Sequence, residues 1–299
     1  MKLNVALIQA APVFLDLNRS IDRVEQQLRE VSDHSPDLVV FPEAFLPGYP
    51  RGLSFGSVVG SRSEQGRDLW LRYSQNALTV PGPDLDRLSK LAKHFSVHLV
   101  IGVVERSQTG TLFCTTLYFD AEGRLIGKHR KLKPTASERV IWGEGDGADL
   151  EVYDTAIGRI GGLICWENYM PLARAWLYEH GVQIYIAPTA DQRDSWQSTL
   201  KHIACEGRCF VLGCNQYVRR EDYPDDLPGE SVDDLPEVLS RGGSVVVDPL
   251  GEIVAGPIWD ESGSLFAVLD LDEVTRAKLD FDAAGHYARG DVFELRKKV

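Results

Sequence analysis

The sequence predicts an α/β protein made of two mixed β-sheets packed together, with helices on the outside. Three observations carry this. Short apolar runs of strand length alternate with longer stretches whose apolar residues recur at helical spacing. The second half of the chain echoes the strand and helix order of the first. Both halves also contain an Asp-x-x-Gly hairpin turn, Asp120 to Gly123 and Asp248 to Gly251, where pure βαβ winding would have none. Strands joined by both crossovers and hairpins make mixed sheets, and two such sheets can bury their apolar faces on each other.

In chain order, Leu3 to Gln9 reads as a strand. Leu17, Ile21, Val24, Leu28 and Val31 then mark one face of a helix, with Asp16 or Asn18 as its cap. Asp37 to Phe41 is a second strand ending in Pro42-Glu43, so the chain opens as βαβ. Residues 46–81 are rich in Gly, Ser and aromatics, with a helix predicted only around Arg67 to Leu78. Loops this long in compact proteins are usually functional or disordered. A helix over Pro83 to Phe95 and a strand over Val97 to Glu105 follow. Thr111 to Phe119 and Arg124 to His129 form a hairpin.

In the second half, Leu150 to Tyr153 and Arg159 to Cys165 read as strands flanking the turn at Ala156-Ile-Gly158. Pro171 to His180 reads as a helix, Val182 to Ala187 as a strand, Ser195 to Glu206 as a helix and Cys209 to Asn215 as a strand. Ser244 to Val247 and Glu252 to Ala255 form the second hairpin. Ser264 to Leu269 is a strand, and a short helix follows from Asp272. No Pro/Gly/Ser-rich linker separates the halves, so residues 1–299 read as one domain. The charged run Arg219 to Arg241 is predicted as an inserted, solvated loop, with a position over a pocket or at an interface as the alternative.

Composition narrows the function. A net charge of -12 argues against nucleic acid and anionic membrane surfaces as partners. The N-terminus fits a strand better than a signal peptide, and no apolar run approaches membrane-spanning length. The 5 cysteines include no CxxC pair, which argues against zinc or a disulfide framework and points to a reducing cytoplasm.

Three segments end in a reactive side chain: Phe41-Pro42-Glu43, the stretch holding Lys131 and Lys133, and Ile164-Cys165-Trp166. Each has a plainer reading alone. The glutamate could be salt-bridged, the lysines a solvated turn, the cysteine core packing. None of the 7 histidines sits in a local context typical of cysteine–histidine proteases. A Glu–Lys–Cys set is the alternative, in which glutamate takes protons, lysine supplies charge and cysteine attacks an electrophilic carbon. Lys131 and Lys133 are expected to point the same way along an extended segment. The helix start near Pro171 is expected to lower the Cys165 thiol pKa.

In that order, Phe-Pro-Glu43, Arg-Lys131-Leu-Lys-Pro-Thr135 and Ile-Cys165-Trp-Glu-Asn168 resemble the three signature regions of the nitrilase superfamily of carbon–nitrogen hydrolases. The resemblance covers nearly the whole chain, including Ala187-Pro-Thr-Ala190 and Gly285 to Arg289. Cys-Trp-Glu, together with Lys-Pro-Thr, Glu138-Arg139 and Trp142-Gly-x-Gly-Asp-Gly147, is similar to the true nitrilase branch. It implies a four-layer αββα sandwich, in agreement with the two-sheet reading. It implies Glu43 as general base, Lys131 as the catalytic lysine and Cys165 as nucleophile, with Glu138 as a second glutamate holding lysine and substrate. Lys131 is preferred to Lys133 because it directly follows Arg130.

The activity so implied is hydrolysis of an organic nitrile to a carboxylic acid and ammonia through a thioimidate and a thioester on Cys165, with no metal or organic cofactor. An amidase or N-carbamoyl amide hydrolase using the same triad is the alternative, and a non-catalytic binding protein on the same fold is another. The pocket is expected to draw on Tyr49, Trp142, Trp166, Thr189 and Ala190 with the 46–81 loop. Those aromatics suggest an apolar, aryl-bearing substrate. The resemblance also implies a homo-oligomer built from dimers, through the helices after the nucleophile.

Overall fold

The computed structural model describes residues 1–298. The first half contains β1 (Lys2–Gln9), α1 (Leu17–Val31), β2 (Leu38–Val40), the small strands β3 (Ser57–Val58) and β4 (Ser61–Arg62), and α2 (Glu64–Gln75). It continues with α3 (Pro83–Phe95), β5 (His98–Arg106), β6 (Leu112–Phe119) and β7 (Leu125–Arg130). The second half contains β8 (Tyr153–Thr155), β9 (Gly158–Gly162), α4 (Pro171–Glu179), β10 (Ile184–Thr189), α5 (Asp194–Gly207) and β11 (Phe210–Asn215). Then come β12 (Tyr217–Arg219), β13 (Val238–Val247), β14 (Ile253–Trp259), β15 (Gly263–Asp270) and α6 (Asp272–Ala277).

The strands form two large mixed sheets. One runs β15-β1-β2-β5-β6-β7, parallel through β1-β2-β5 and antiparallel at both sides. The other runs β12-β13-β11-β10-β9-β8, with β14 also on β13, and is parallel through β9-β10-β11. Strand periodicity divides the core. In β1, Leu3, Val5 and Leu7 face the second sheet, while Ala6 and Ile8 face α1 and α3. In β10, Ile184 and Ile186 face the first sheet, while Tyr185 and Ala187 face α4 and α5. Each central strand is apolar on both faces because each is covered on both faces. The result is the four-layer αββα sandwich.

Local chemistry explains most boundaries. Asp16, not Asn18, caps α1 by accepting from the Arg19 N–H at 2.9 Å. Pro83 and Pro171 open α3 and α4, where a missing N–H costs nothing. Other boundaries differ from the sequence reading. The expected strand at Leu150 to Tyr153 is displaced to β8, because Trp176 Nε1 occupies the Leu150 carbonyl at 3.0 Å and Leu150 packs under α4. The strand leading to the cysteine ends at Gly162, three residues early. β13 starts at Val238 rather than Ser244, because it pairs with β12.

The charged segment keeps most of its charges exposed but is anchored by buried apolar residues, which fits the alternative reading of a position over the site better than a free solvated loop. Tyr223 and Leu227 are buried in the core at the site end, with Phe14, Phe55 and Tyr73. Glu230 accepts from the backbone of Ser54 and Phe55 at 2.8 and 2.9 Å, and Arg72 pairs with Asp226 at 2.9 Å. The segment therefore clamps the 46–78 region, one wall of the site. Its charges screened the apolar anchors Tyr223, Leu227 and Leu235 from a composition-based reading. No described helix is long and apolar enough to cross a membrane.

Candidate active site

The three signature segments meet at one end of the sandwich, where β2 and β9 stop. Glu43 follows β2 and is completely buried. Gly102 on β5 makes room for it: a Cβ there would lie 2.2 Å from the Pro42 carbonyl oxygen and 2.8 Å from Glu43 Cα. Gly162 plays the same part before the cysteine, where a Cβ would come within 1.9 Å of the Ile186 carbonyl oxygen. Each glycine lets a neighbouring backbone cross at a distance no other residue permits.

Lys131 is also completely buried, and its Nζ donates to Glu43 Oε1 at 2.6 Å and to Glu138 Oε2 at 2.7 Å. Burial alone would push this lysine's pKa down. The negative charges of Glu43 and Glu138 beside it outweigh burial and hold the ammonium well above its ordinary value. Lys133 is exposed and paired with Glu144, so the two lysines do not share a side. The extended run ends at Arg130, and the chain bends before Lys133, which breaks the expected alternation.

Glu138 sits in the short helical turn 136–140, and its side chain reaches back to the backbone N–H of Thr135, the residue before that turn. Its carboxylate accepts from Lys131, from the Thr135 N–H at 2.6 Å and from Tyr49 Oη at 2.7 Å. Burial, then the charges of Glu138 and Glu43, keep the Tyr49 phenol protonated by raising its pKa.

Cys165 begins a second helical turn, 165–169, with φ at 52°. A non-glycine residue there is strained, and such strain clusters at functional sites. Asn168 secures the turn: its Nδ2 donates to the Leu163 and Cys165 carbonyls at 2.8 Å, and Tyr185 Oη donates to its Oδ1 at 2.7 Å. Thr189 Oγ1, at the end of β10, donates to Cys165 Sγ at 3.1 Å. The thiol pKa is not lowered. Burial first, then the Glu43 charge, push it up to about 12, against the pull of Lys131 and Thr189. α4 starts only at Pro171, beyond the separate helical turn 165–169 that carries the cysteine.

Burial also raises the Glu43 carboxyl, with Lys131 opposing and Glu138 adding to the rise. Its Oε1 is held by Lys131, while Oε2 is buried and makes no hydrogen bond of good geometry. The Cys165 thiol nevertheless lies near enough to pull that carboxyl's pKa down. A neutral thiol beside a carboxylate with a free oxygen can pass its proton directly as it attacks.

A cavity of about 370 Å³ reaches Cys165. Tyr49, Glu138, Trp166 and Ala190 line it, as do Arg51, Asp191, Gln192 and Arg193. Trp142 does not: it is buried behind Tyr49, ring to ring at 5.7 Å, with its centroid 5.8 Å from Lys131 Nζ. Thr189 reaches the sulfur and is absent from the cavity wall. The wall is thus more polar than the aromatic residues suggested. Cys114, Glu167 and His129 also belong to the site's surroundings; none was assigned a role from sequence, although Glu167 stands in the Cys-Trp-Glu signature. Cys114 Sγ donates to Glu43 Oε1 at 3.7 Å. Glu167 accepts from the N–H groups of Leu132 at 2.6 Å and Ile164 at 2.7 Å, so it ties the lysine segment to the cysteine turn. A glutamate two residues after the cysteine was the available signal.

The fold and this buried Glu–Lys–Cys cluster define a hydrolase of carbon–nitrogen bonds: the chain belongs to the carbon–nitrogen hydrolase family, whose sequence pattern matches residues 4–279. It is 49% identical over 295 residues to a bifunctional nitrilase/nitrile hydratase of Nicotiana tabacum, covering 97% of this chain and 84% of that one. It is 48% identical over 294 residues to an aliphatic nitrilase of Sinorhizobium fredii (strain HH103), covering 98% and 95%. A carbon–nitrogen hydrolase from Helicobacter pylori G27 shares the fold, with a TM-score of 0.76 at 21% identity over 98% of this chain and 97% of that one.

Proposed function

We propose that this protein is a nitrilase, converting an organic nitrile and two waters to a carboxylic acid and ammonia. The observation that carries the reading is the pairing of a buried thiol with a buried carboxylate whose second oxygen is free, both beside a lysine held as a cation. Glu43 takes the Cys165 proton while the sulfur adds to the nitrile carbon, and the proton passes to nitrogen, giving a thioimidate. A water activated by Glu43 adds next. Lys131 and the Trp166 backbone N–H stabilise the charge that develops. Ammonia departs, leaving a thioester, and a second water releases the acid and restores the thiol. Glu138 holds Lys131 from the other side and has the cavity in front of it.

Identity at nearly half of the positions to proteins named nitrilases supports this over the amidase reading. One relative's name also includes nitrile hydratase, so amide is a second product to measure. The test is a nitrile panel with acid, amide and ammonia all quantified, run beside the matching amides. The expected result is ammonia and acid from nitriles with poor turnover of amides. Faster turnover of the amide than of its nitrile would replace this reading with the amidase one. We also propose a homo-oligomer through α4, which exposes Leu172 beside Met170; light scattering giving a monomer mass would exclude it.

A further inference from the structure

The proposed base and nucleophile stand on different sheets. Glu43 follows β2 of the first sheet, and Cys165 follows β9 of the second. Proton transfer needs hydrogen-bonding reach, so their separation across the sheet interface has to be fixed. Glu167 ties the cysteine turn to the N–H of Leu132, beside Lys131, at 2.6 Å. It does not touch the main chain of Glu43.

The end of β11 does. β11 lies beside β10 in the second sheet, with Asn215 in register with Thr189. Three consecutive buried side chains there bind the surrounding backbone. Cys214 Sγ lies 3.4 Å from the carbonyl oxygens of Ile8 and Val40, in β1 and β2 of the first sheet. Asn215 Nδ2 donates at 2.7 Å to the carbonyls of Asp191 and Gly242. The Asp191 N–H donates in turn to Thr189 Oγ1 at 2.9 Å, and that hydroxyl donates to Cys165 Sγ. Gln216 Nε2 donates to the Glu43 carbonyl at 2.5 Å. One end of one strand thus holds both the base and the loop that carries the thiol's partner.

The Gln216 bond has no substitute. β2 ends at Val40, and Ala44 turns the chain away with φ at 46°. Among the described residues no other donor reaches the Glu43 carbonyl. A buried carbonyl requires a donor, and here it comes from the opposite sheet. Gln216 is itself held on both sides. Its N–H donates to Asn215 Oδ1 at 2.8 Å, and its carbonyl accepts from Ser240 Oγ at 2.9 Å.

We propose that Gln216 is a positioning residue: its amide pins the Glu43 main chain to the end of β11 and so holds the base within reach of the Cys165 proton. This rests on the roles that the nitrilase reading gives Glu43 and Cys165. Gln216 acts through Glu43 and touches none of the reacting atoms. Without its donor, the 41–46 segment shifts to satisfy the orphaned carbonyl, and the carboxylate moves with it. A displacement of about 1 Å is enough to cost on the order of 100-fold in rate.

The experiment follows two readouts on wild type, Gln216→Met and Ser240→Ala. One is hydrolysis of the nitrile that wild type turns over fastest. The other is alkylation of each cysteine by iodoacetamide, read by mass spectrometry. Methionine matches glutamine in length and lacks the donor. Gln216→Met should lower kcat by roughly 10- to 100-fold while KM stays within about 3-fold. Alkylation of Cys165 should slow by about 10-fold near pH 7, because the thiol has lost its base. Half-buried Cys205 should react as in wild type, and buried Cys209 should stay unreactive, so that a displaced base is told apart from a loosened fold. Wild-type kcat with wild-type alkylation of Cys165 would overturn the proposal, whatever the thermal midpoint. Should Cys209 become reactive, the fold has loosened and Ser240→Ala decides. That variant frees the Gln216 backbone and should lower kcat about 3-fold with KM unchanged; a wild-type kcat there overturns the proposal. If wild type hydrolyses no nitrile, the nitrilase reading falls, and the alkylation rates still decide whether Gln216 holds the base to the thiol.

Discussion

Glu43 and Glu167 are two buried carboxylates that follow short strands at the same end of the sandwich, and they are satisfied to different degrees. Both Glu167 oxygens are taken. One accepts from the Leu132 N–H at 2.6 Å, the other from the Ile164 N–H at 2.7 Å, and His129 Nε2 lies 3.2 and 3.1 Å from the two. Glu43 has Lys131 and Cys114 on one oxygen and nothing of good geometry on the other. A buried polar group left short of partners costs stability, and it persists where it has work to do. The difference separates a carboxylate that holds two segments together from one with an oxygen left free, as the proposed general base requires.

The widest way to test that contrast is to remove the thiol that Glu43 is proposed to deprotonate. Cys165→Ala should lower ammonia release by roughly 10⁴-fold or more while the circular dichroism spectrum is unchanged. Substantial turnover by the folded variant would refute a covalent route.

Next comes the paired exchange at the two glutamates. Glu43→Gln should cost about 10²- to 10⁴-fold in kcat with a small change in thermal midpoint, since Lys131 keeps Glu138. Glu167→Gln should cost about 3 kcal/mol of stability, because an amide nitrogen would face donors that the carboxylate now accepts from. Denaturant titration and initial rates on both variants decide it, and the same ranking in both assays would erase the contrast.

The pH dependence of stability sharpens the Glu167 side. Burial would lower the His129 pKa, but Glu167 and Asp149 raise it to about 9. A pKa raised on folding means stability that is complete below about pH 6.5 and is lost as pH rises through about 9. The loss should amount to roughly 3 kcal/mol at most, and His129→Gln should flatten it. Thermal midpoints between pH 6 and 10 measure this; a wild-type curve as flat as the variant's would remove the ionic role of His129. The smallest effect is expected at Thr189→Val, which removes the hydroxyl at Cys165 Sγ. We expect a loss of about 3- to 10-fold in kcat/KM, read in initial rates, with KM nearly unchanged.

Much of the architecture was legible because it is written in local patterns. Leu17, Ile21, Val24, Leu28 and Val31 are all buried on one face of α1, as their spacing predicts. The strands around Leu3, Val97 and Cys209 lie within a residue or two of their expected limits. The misreadings share one cause. The Leu150 segment, the start of β13 and the charged 219–241 run all depend on partners distant in sequence: Trp176, β12 and the 46–78 wall. Residue type alone does not say which distant backbone a carbonyl or a tyrosine will meet.

By itself, the sequence determined the α/β class, the order of strands and helices, and the order of the segments bearing Glu43, Lys131 and Cys165. These follow from periodicity and from residue identity, which are properties of neighbours along the chain. The tertiary structure decided the rest of the site. It turned Lys131 inward and Lys133 outward, raised the Cys165 thiol where a helix end was expected to lower it, and lined the cavity with Arg51, Asp191 and Arg193. Desolvation and charge pairing are properties of a place in space, and each of these places is assembled from segments tens of residues apart.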